Sequence, residues 1–154
     1  MNIEIERKYL VEKQPWDNKS QYLDIKQGYL QIKKNKIVRI RKQNDDYILG
    51  FKKVINELSR YELEIKITKK EGANLFNKFC IGSIIIKRRY LISHENMIWE
   101  VDVFQGMNKG LITAEIELES EEQTFKKPNW AGEEISRESK YLNMNLAKNP
   151  YSIW

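Results

Sequence analysis

One cysteine and one histidine in 154 residues exclude a good deal. Cys80 has no partner for an internal disulfide, which predicts a reducing, cytoplasmic setting. Cys80 and His94 cannot build a Cys/His zinc cluster, nor a nucleophile triad that needs both residue types. Any metal would therefore be held by oxygen ligands, which points to Mg²⁺ or Mn²⁺. No apolar run approaches the roughly 20 residues of a membrane-spanning helix, so no membrane partner is expected. The N-terminus, with Glu4 and Glu6 soon after Met1, lacks a signal-peptide pattern. Blocks of like charge, low-complexity stretches, internal repeats and linkers are all missing. Residues 1–154 therefore read as a single globular domain with a sizeable core.

What the chain has in quantity is charge. Charged residues make up 32% of it, interspersed, with a net charge of +5, which favours an anionic partner without naming one. The stretch Glu4-Ile5-Glu6-Arg7-Lys8-Tyr9 alternates. On a strand, Glu4, Glu6 and Lys8 leave one face while Ile3, Ile5, Arg7 and Tyr9 take the other. The pattern recurs: Arg39 and Arg41 against Val38 and Ile40, and Lys52 against Leu49 and Phe51. Arg60, Glu62, Glu64 and Lys66 oppose Tyr61, Leu63 and Ile65, and Lys87 and Arg89 share a face that excludes Arg88. Glu100 and Asp102 oppose Trp99, Val101 and Val103; Glu115, Glu117 and Glu119 oppose Ile116 and Leu118.

Turn signals at Asn35-Lys36, Asn44–Asp46, His94–Asn96 and Gly106–Gly110 join these strands as antiparallel hairpins. Thr68 is placed to cap a helix over 69–80, where Ala73, Phe76, Phe79 and Cys80 form an apolar stripe. A polar helix over 121–127 and a final helix over 139–148 are also expected.

An antiparallel sheet with one wet face would alternate in the same way. Two features set these strands apart. Their polar faces carry charges at almost every central position, with few Ser, Thr, Gln or Asn. The signs also sort by strand, with Arg and Lys in the middle strands and carboxylates on the first, seventh and last. About eight such strands closing on themselves would make an interior wide enough for one small ligand. The expected fold is α+β: an eight-stranded antiparallel β-barrel with a charged interior and a few helices packed outside. Clustered Arg and Lys suit a polyanion, and clustered carboxylates suit a divalent cation bridging its oxygens. Phosphoryl transfer needs little more than positioning, charge neutralisation and a metal.

Glu4-x-Glu6-x-Lys8 resembles the ExExK signature of the CYTH superfamily, the triphosphate tunnel metalloenzymes. The resemblance continues in order through Gln27-Gly28-Tyr29-Leu30, Arg39-x-Arg41, Lys52, Arg60-x-Glu62-x-Glu64 and Lys87-x-Arg89-Tyr90. It runs on through Trp99–Phe104, Ala114–Glu119, Trp130-x-Gly132-x-Glu134 and Tyr141-x-Asn143. It implies a tunnel that hydrolyses or transfers a triphosphate moiety with Mg²⁺ or Mn²⁺. By that analogy Lys8, Arg39, Arg41, Lys52, Arg60, Lys87 and Arg89 hold the phosphates. Glu4, Glu6, Glu62, Glu64, Asp102, Glu115 and Glu117 form the metal set, and Glu4, Glu6, Lys8, Lys87 and Asp102 the catalytic set. Short chains of this kind resemble members that hydrolyse inorganic tripolyphosphate.

Alternatives within that resemblance are thiamine triphosphate or a nucleoside triphosphate as substrate, or adenylate cyclase chemistry. A non-catalytic binder of polyphosphate or nucleic acid is the other class. Its carboxylates would oppose a bare polyanion, and Phe51, Tyr61 and Trp99 fall on the apolar faces, away from any stacking role, so nucleic acid is not expected. The expected partner is a small molecule containing a triphosphate. The tail Tyr151–Trp154 is open to two roles, pinning the C-terminus to the barrel or mediating a homodimer.

Overall fold

A computed structural model describes every residue from Met1 to Trp154. The strands are β1 (Asn2–Val11), β2 (Tyr22–Lys33), β3 (Lys36–Gln43), β4 (Asp46–Val54), β5 (Ser59–Ile67), β6 (Ile81–His94), β7 (Met97–Gln105), β8 (Ile112–Leu118) and β9 (Ala131–Glu134). Helix α1 (Lys69–Lys78) joins β5 to β6, and a four-residue α2 (Asn143–Leu146) lies near the end of the chain. All pairings are antiparallel, in the order β5-β4-β3-β2-β6-β7-β8-β1, and β5 also pairs with β1. Eight strands thus close a barrel. The closing seam is short, from Asn2↔Glu62 to Ile5↔Ser59.

β9 is a strand that the sequence reading missed. From Tyr9 onward β1 has left β5 behind, and β9 takes over that edge through Tyr9↔Glu134 and Val11↔Ala131. The backbone donors and acceptors that β5 leaves exposed are satisfied in this way, with Ile135 N donating to Lys8 O at 2.8 Å and Glu12 N to Trp130 O at 2.8 Å.

Two-residue turns set the registers. Glu95 and Asn96 both have positive φ (50° and 61°), as a primed hairpin turn demands. The β2–β3 turn is Lys34-Asn35, with Lys34 at φ 54°, one residue earlier than expected, and β3 begins at Lys36. Thr68 caps α1 as expected, its Oγ1 accepting from Glu71 N at 3.2 Å. The helix ends at Lys78, so Phe79 and Cys80 lie beyond it, and Phe79 is exposed. Phe76 is the helix's buried anchor, packed with Ile40 and Tyr47 on the outside of the sheet.

Two expected helices are corrected. No helix forms over 121–127. Phe125 has no apolar neighbour one turn away, so a helix there would bury a single side chain and gain too little to form. The segment is instead a turn followed by irregular chain, which sets Phe125 and Trp130 edge-on against Trp99, each with ring centroids 5.6 Å away. The helix expected over 139–148 is reduced to a 3-10 turn, Ser139–Tyr141, and α2. Leu146 and Ala147 are buried there against inward-facing Tyr29, Ile37, Ile85 and Phe104. At this end the inner face of the barrel turns apolar, and the C-terminal segment packs onto it. The tail is pinned too: Tyr151 N donates to Asn108 Oδ1 at 2.8 Å, and Trp154 packs edge-on to Tyr141 and Tyr151.

A Cβ on Gly72 in α1 would collide with the Tyr47 ring. In an open helix, Gly→Ala stabilises by about 1 kcal/mol. Gly72→Ala is expected to destabilise by about 1–3 kcal/mol instead, seen as a lower midpoint in thermal or urea unfolding. An unchanged or raised midpoint would mean that α1 does not rest on β4 this closely.

Candidate active site

The barrel encloses one large cavity of about 800 Å³. It is lined from β1 by Glu4, Glu6 and Lys8, from β3 by Arg39 and Arg41, from β4 by Lys52, and from β5 by Arg60, Glu62 and Glu64. Arg89 of β6, Glu100 of β7, and Glu115 and Glu117 of β8 complete the ring. The alternation places them there: every second side chain of a barrel strand faces inward, and register aligns the rows. Lys8 stands opposite Glu115 and Glu4 opposite Arg60; farther along, Lys52 faces Glu62. Gly50 sits across from Arg39, where a Cβ would press on the arginine stem at 3.2–3.3 Å.

At the deepest level Asp102, with no exposure, accepts from Lys87 Nζ at 2.7 Å and from Arg89 Nε and Nη2 at 2.8 and 2.9 Å. Lys87 also reaches Asn143 Oδ1 at 3.3 Å. Here the arrangement departs from the sequence reading. Neither Lys87 nor Asp102 lines the cavity, and both Asp102 oxygens accept hydrogen bonds from cations of the protein. Two further residues expected on the charged face lie outside it. Lys66 is exposed at the strand end, 3.3 Å from Asp46, and Glu119 is exposed beyond the end of β8. Arg7 and Arg88 point outward as expected, paired with Glu134 and Asp24.

Toward the open part of the cavity the pairs loosen. Lys52 Nζ lies 2.9 Å from Glu4 and 3.1 Å from Glu62, and Lys8 Nζ is 3.2 Å from Glu115. Arg60 approaches Glu4 and Glu6 at 3.6 Å, and Arg39 approaches Glu62 and Glu64 at 3.8 and 3.7 Å. Buried Arg60 Nε and Glu62 Oε2 make no hydrogen bond. Glu117 has no cationic partner within 4 Å, and Arg41 has no carboxylate partner within that distance.

The titration of these groups follows the crowding. Burial, Glu115 and Glu4 push Glu6 up to about 7. Burial and the nearby Glu4, Glu100 and Glu62 also raise Glu117. Glu115 is buried as well, but Lys8, Arg89 and Lys87 hold it well below the usual range. Burial draws Lys87 down to about 8 against the pull of Asp102.

Sequence reasoning overlooked the polar residues that the C-terminal segment and β2 contribute. Ser136, Arg137, Ser139 and Asn143 line the cavity, as do Tyr29 of β2 and Asn35 and Asn56 of the turns. Ser136 Oγ accepts from Lys8 N at 2.9 Å and donates to Glu134 at 2.7 Å, tying the segment to β1. In β2 the signal lay in Gln27 and Tyr29 at spacing two, masked by apolar Ile25 on the same face. Of the C-terminal residues only Asn143, in Tyr141-x-Asn143, fell within the quoted resemblance, and docking of the segment puts all four into the lining.

The donor set suits a hard dication. It is all oxygen, it holds more carboxylates than its lysines and arginines pair closely, and burial with neighbouring carboxylates raises Glu6 and Glu117. No three carboxylates stand close enough to make a finished ligand set, their oxygens being turned to lysine and arginine.

Folded Glu6 keeps its proton to about pH 7, against 4.5 for a free glutamate. The folded chain therefore binds more protons between those values, and stability falls as pH rises through that window. Glu6→Gln removes this penalty. Its unfolding free energy in EDTA is expected to gain on wild type by about 2–3 kcal/mol between pH 4.5 and 8. A pH-independent difference in urea unfolding would count against a crowded Glu6.

The model of the CYTH domain matches residues 2–150. An inorganic triphosphatase of Acetivibrio thermocellus is 40% identical over 151 residues, covering 98% of this chain and 97% of that protein. One from Nitrosomonas europaea is 35% identical over 148 residues, covering 94% and 96%. A crystal structure of an inorganic triphosphatase superposes with a TM-score of 0.70 at 32% identity, covering 96% of this chain and 95% of its own. With the match running almost end to end and the charged barrel in place, this chain belongs to the CYTH domain family.

Proposed function

We propose that the protein is a metal-dependent triphosphatase that hydrolyses inorganic tripolyphosphate in the barrel cavity, with residues 1–154 working as one unit. The observation that carries this reading is charge balance. Eight basic and eight acidic side chains line the cavity. A bare polyanion entering it would gain little net attraction and would press against the carboxylates. A polyanion arriving with divalent cations satisfies both walls at once. The relatives named inorganic triphosphatase support the same substrate class.

In this reading Arg39 and Arg41 grip phosphate oxygens through their planar forks, with Lys8, Lys52, Arg60 and Arg89 as further cations. Glu4, Glu6, Glu115 and Glu117 would hold Mg²⁺ or Mn²⁺, with Glu62 and Glu64 beside them. Bound there, such an ion would supply Lewis-acid activation of water. Asp102 acts from behind, fixing Lys87 and Arg89. Water adds to a terminal phosphorus, one phosphoanhydride bond breaks, and orthophosphate and pyrophosphate leave. Lys8 and Lys52, which line the cavity, would neutralise the charge on the departing oxygens. Free Cys80 suits a reducing, cytoplasmic setting.

A second reading is favoured by the cavity's size. Its volume lies toward the upper end for small-molecule sites, and Asn35, Asn56 and Ser139 add neutral polar groups to the lining. These suit an organic triphosphate, either a nucleoside triphosphate or thiamine triphosphate.

The reading is tested by phosphate release from tripolyphosphate, pyrophosphate, ATP and thiamine triphosphate, each with Mg²⁺, Mn²⁺ or EDTA. Turnover of tripolyphosphate well above the others, abolished by EDTA, is the expected result. A preference for ATP or thiamine triphosphate would select the second reading, and no turnover of any would remove both. Glu117→Gln is expected to raise the metal concentration for half-maximal rate at least about tenfold, a loss of roughly 1.4 kcal/mol, and an unchanged metal titration would remove Glu117 from the ligand set.

A further inference from the structure

Among the interior arginines, Arg41 alone has no carboxylate within ion-pair distance. Arg39, Arg60 and Arg89 each approach at least one Glu or Asp. Arg41 is instead held by an amide. Gln27 Oε1 accepts from its Nε at 3.0 Å and its Nη2 at 2.9 Å, and Gln27 Nε2 donates to Tyr29 OH at 2.7 Å. Arginine can only donate, so the amide oxygen must face it and the amide nitrogen must face the phenol.

Gln27 is fully buried and does not line the cavity, whereas Arg41 and Tyr29 do. Both cavity-facing groups therefore keep hydrogens to give: Arg41 has Nη1 uncommitted, and the Tyr29 hydroxyl, already accepting, has its own proton to donate. A carboxylate in place of the amide would bind Arg41 more strongly and cancel its charge. The present arrangement orients the guanidinium without neutralising it. The strain of that choice is visible in Arg41, which burial and the neighbouring Arg39 and Arg89 pull down to about 10.

We infer that Gln27 is a positioning residue that creates an uncompensated cationic pole at Arg41 and Tyr29, which takes a phosphate group of a polyphosphate chain. This rests on the phosphate-binding reading above but does not require hydrolysis.

The test compares wild type, Gln27→Glu, Arg41→Gln and the double variant. The readout is KM for tripolyphosphate with Mg²⁺ where wild type turns it over, and Kd by calorimetry where it does not. Loss of turnover with binding intact would therefore overturn the hydrolase reading alone. Gln27→Glu is expected to raise KM or Kd at least about tenfold, to leave kcat within about threefold where it is measurable, and to flatten the dependence on NaCl between 50 and 300 mM. In the Arg41→Gln background the same change should cost less than about threefold, because the charge it cancels is gone. Gln27→Met, which keeps the volume but loses both bonds, should weaken binding about three- to tenfold, and it carries the test if the glutamate variant does not fold. Equal losses with and without Arg41, a fall in kcat at unchanged KM, or a wild type that neither binds nor hydrolyses tripolyphosphate would overturn the inference.

Discussion

A carboxylate with no access to water, Asp102, sits between Lys87 and Arg89 at 2.7–2.9 Å, and the interior of the barrel is graded outward from that point. A fully buried ion pair holds its own against desolvation only with close geometry and saturated hydrogen bonds. This triad has both. It joins two adjacent strands, β6 and β7, through their inward faces, and it fixes Arg89, which goes on to reach Glu100 at 2.7 Å and Glu115 at 3.7 Å. Farther toward the open cavity the pairs lengthen and are shared among several partners. Order at the base and looseness above are two consequences of the same rule, that charge inside a closed sheet must be neutralised nearby.

The looseness is what leaves the cavity chemically available. Glu4 answers to both Lys52 and Arg60, and Glu62 to both Lys52 and Arg39. Under the proposed function each such pair could be exchanged for a contact with a ligand, since cation and carboxylate would both find new partners if a divalent cation and phosphate bound together. Burial, with neighbouring carboxylates adding to it, raises Glu6 and Glu117, and burial, with neighbouring arginines adding to it, lowers Arg41. The two poles belong to one cavity, and under the proposed function a polyanion carrying a divalent cation would suit it better than either ion alone.

Outside, the barrel is covered by the cheapest means available. Helix α1 shields the β3–β4 side through Phe76, while the β8–β1 side is covered by irregular chain that carries Phe125, Trp130 and Trp16. The C-terminal segment does a different job. It completes the edge of β1 and brings Ser136, Ser139 and Asn143 into the cavity lining. Part of the site therefore depends on how the end of the chain docks.

Much of this was legible in the residues themselves. Strict period-2 alternation of charge with apolar side chains determined the strands, their two faces and the inward set from Glu4 to Glu117, because a pleated strand offers no other way to place alternate residues. The sorting of sign by strand, and the scarcity of histidine and cysteine, determined the class of ligand and the oxygen-donor chemistry. Tertiary structure alone decided the rest. Asp102 and Lys87 share the alternation of their neighbours, and only the depth of their layer made them a buried pair away from the cavity lining. Residues 121–127 have helical composition, but irregular chain packs Phe125 and Trp130 on Trp99 where a helix could not. Gln27 looks like any neutral strand residue until register sets it beside Arg41. Period and composition act within a few residues, whereas depth, docking and partner choice come from contacts between residues far apart in the chain.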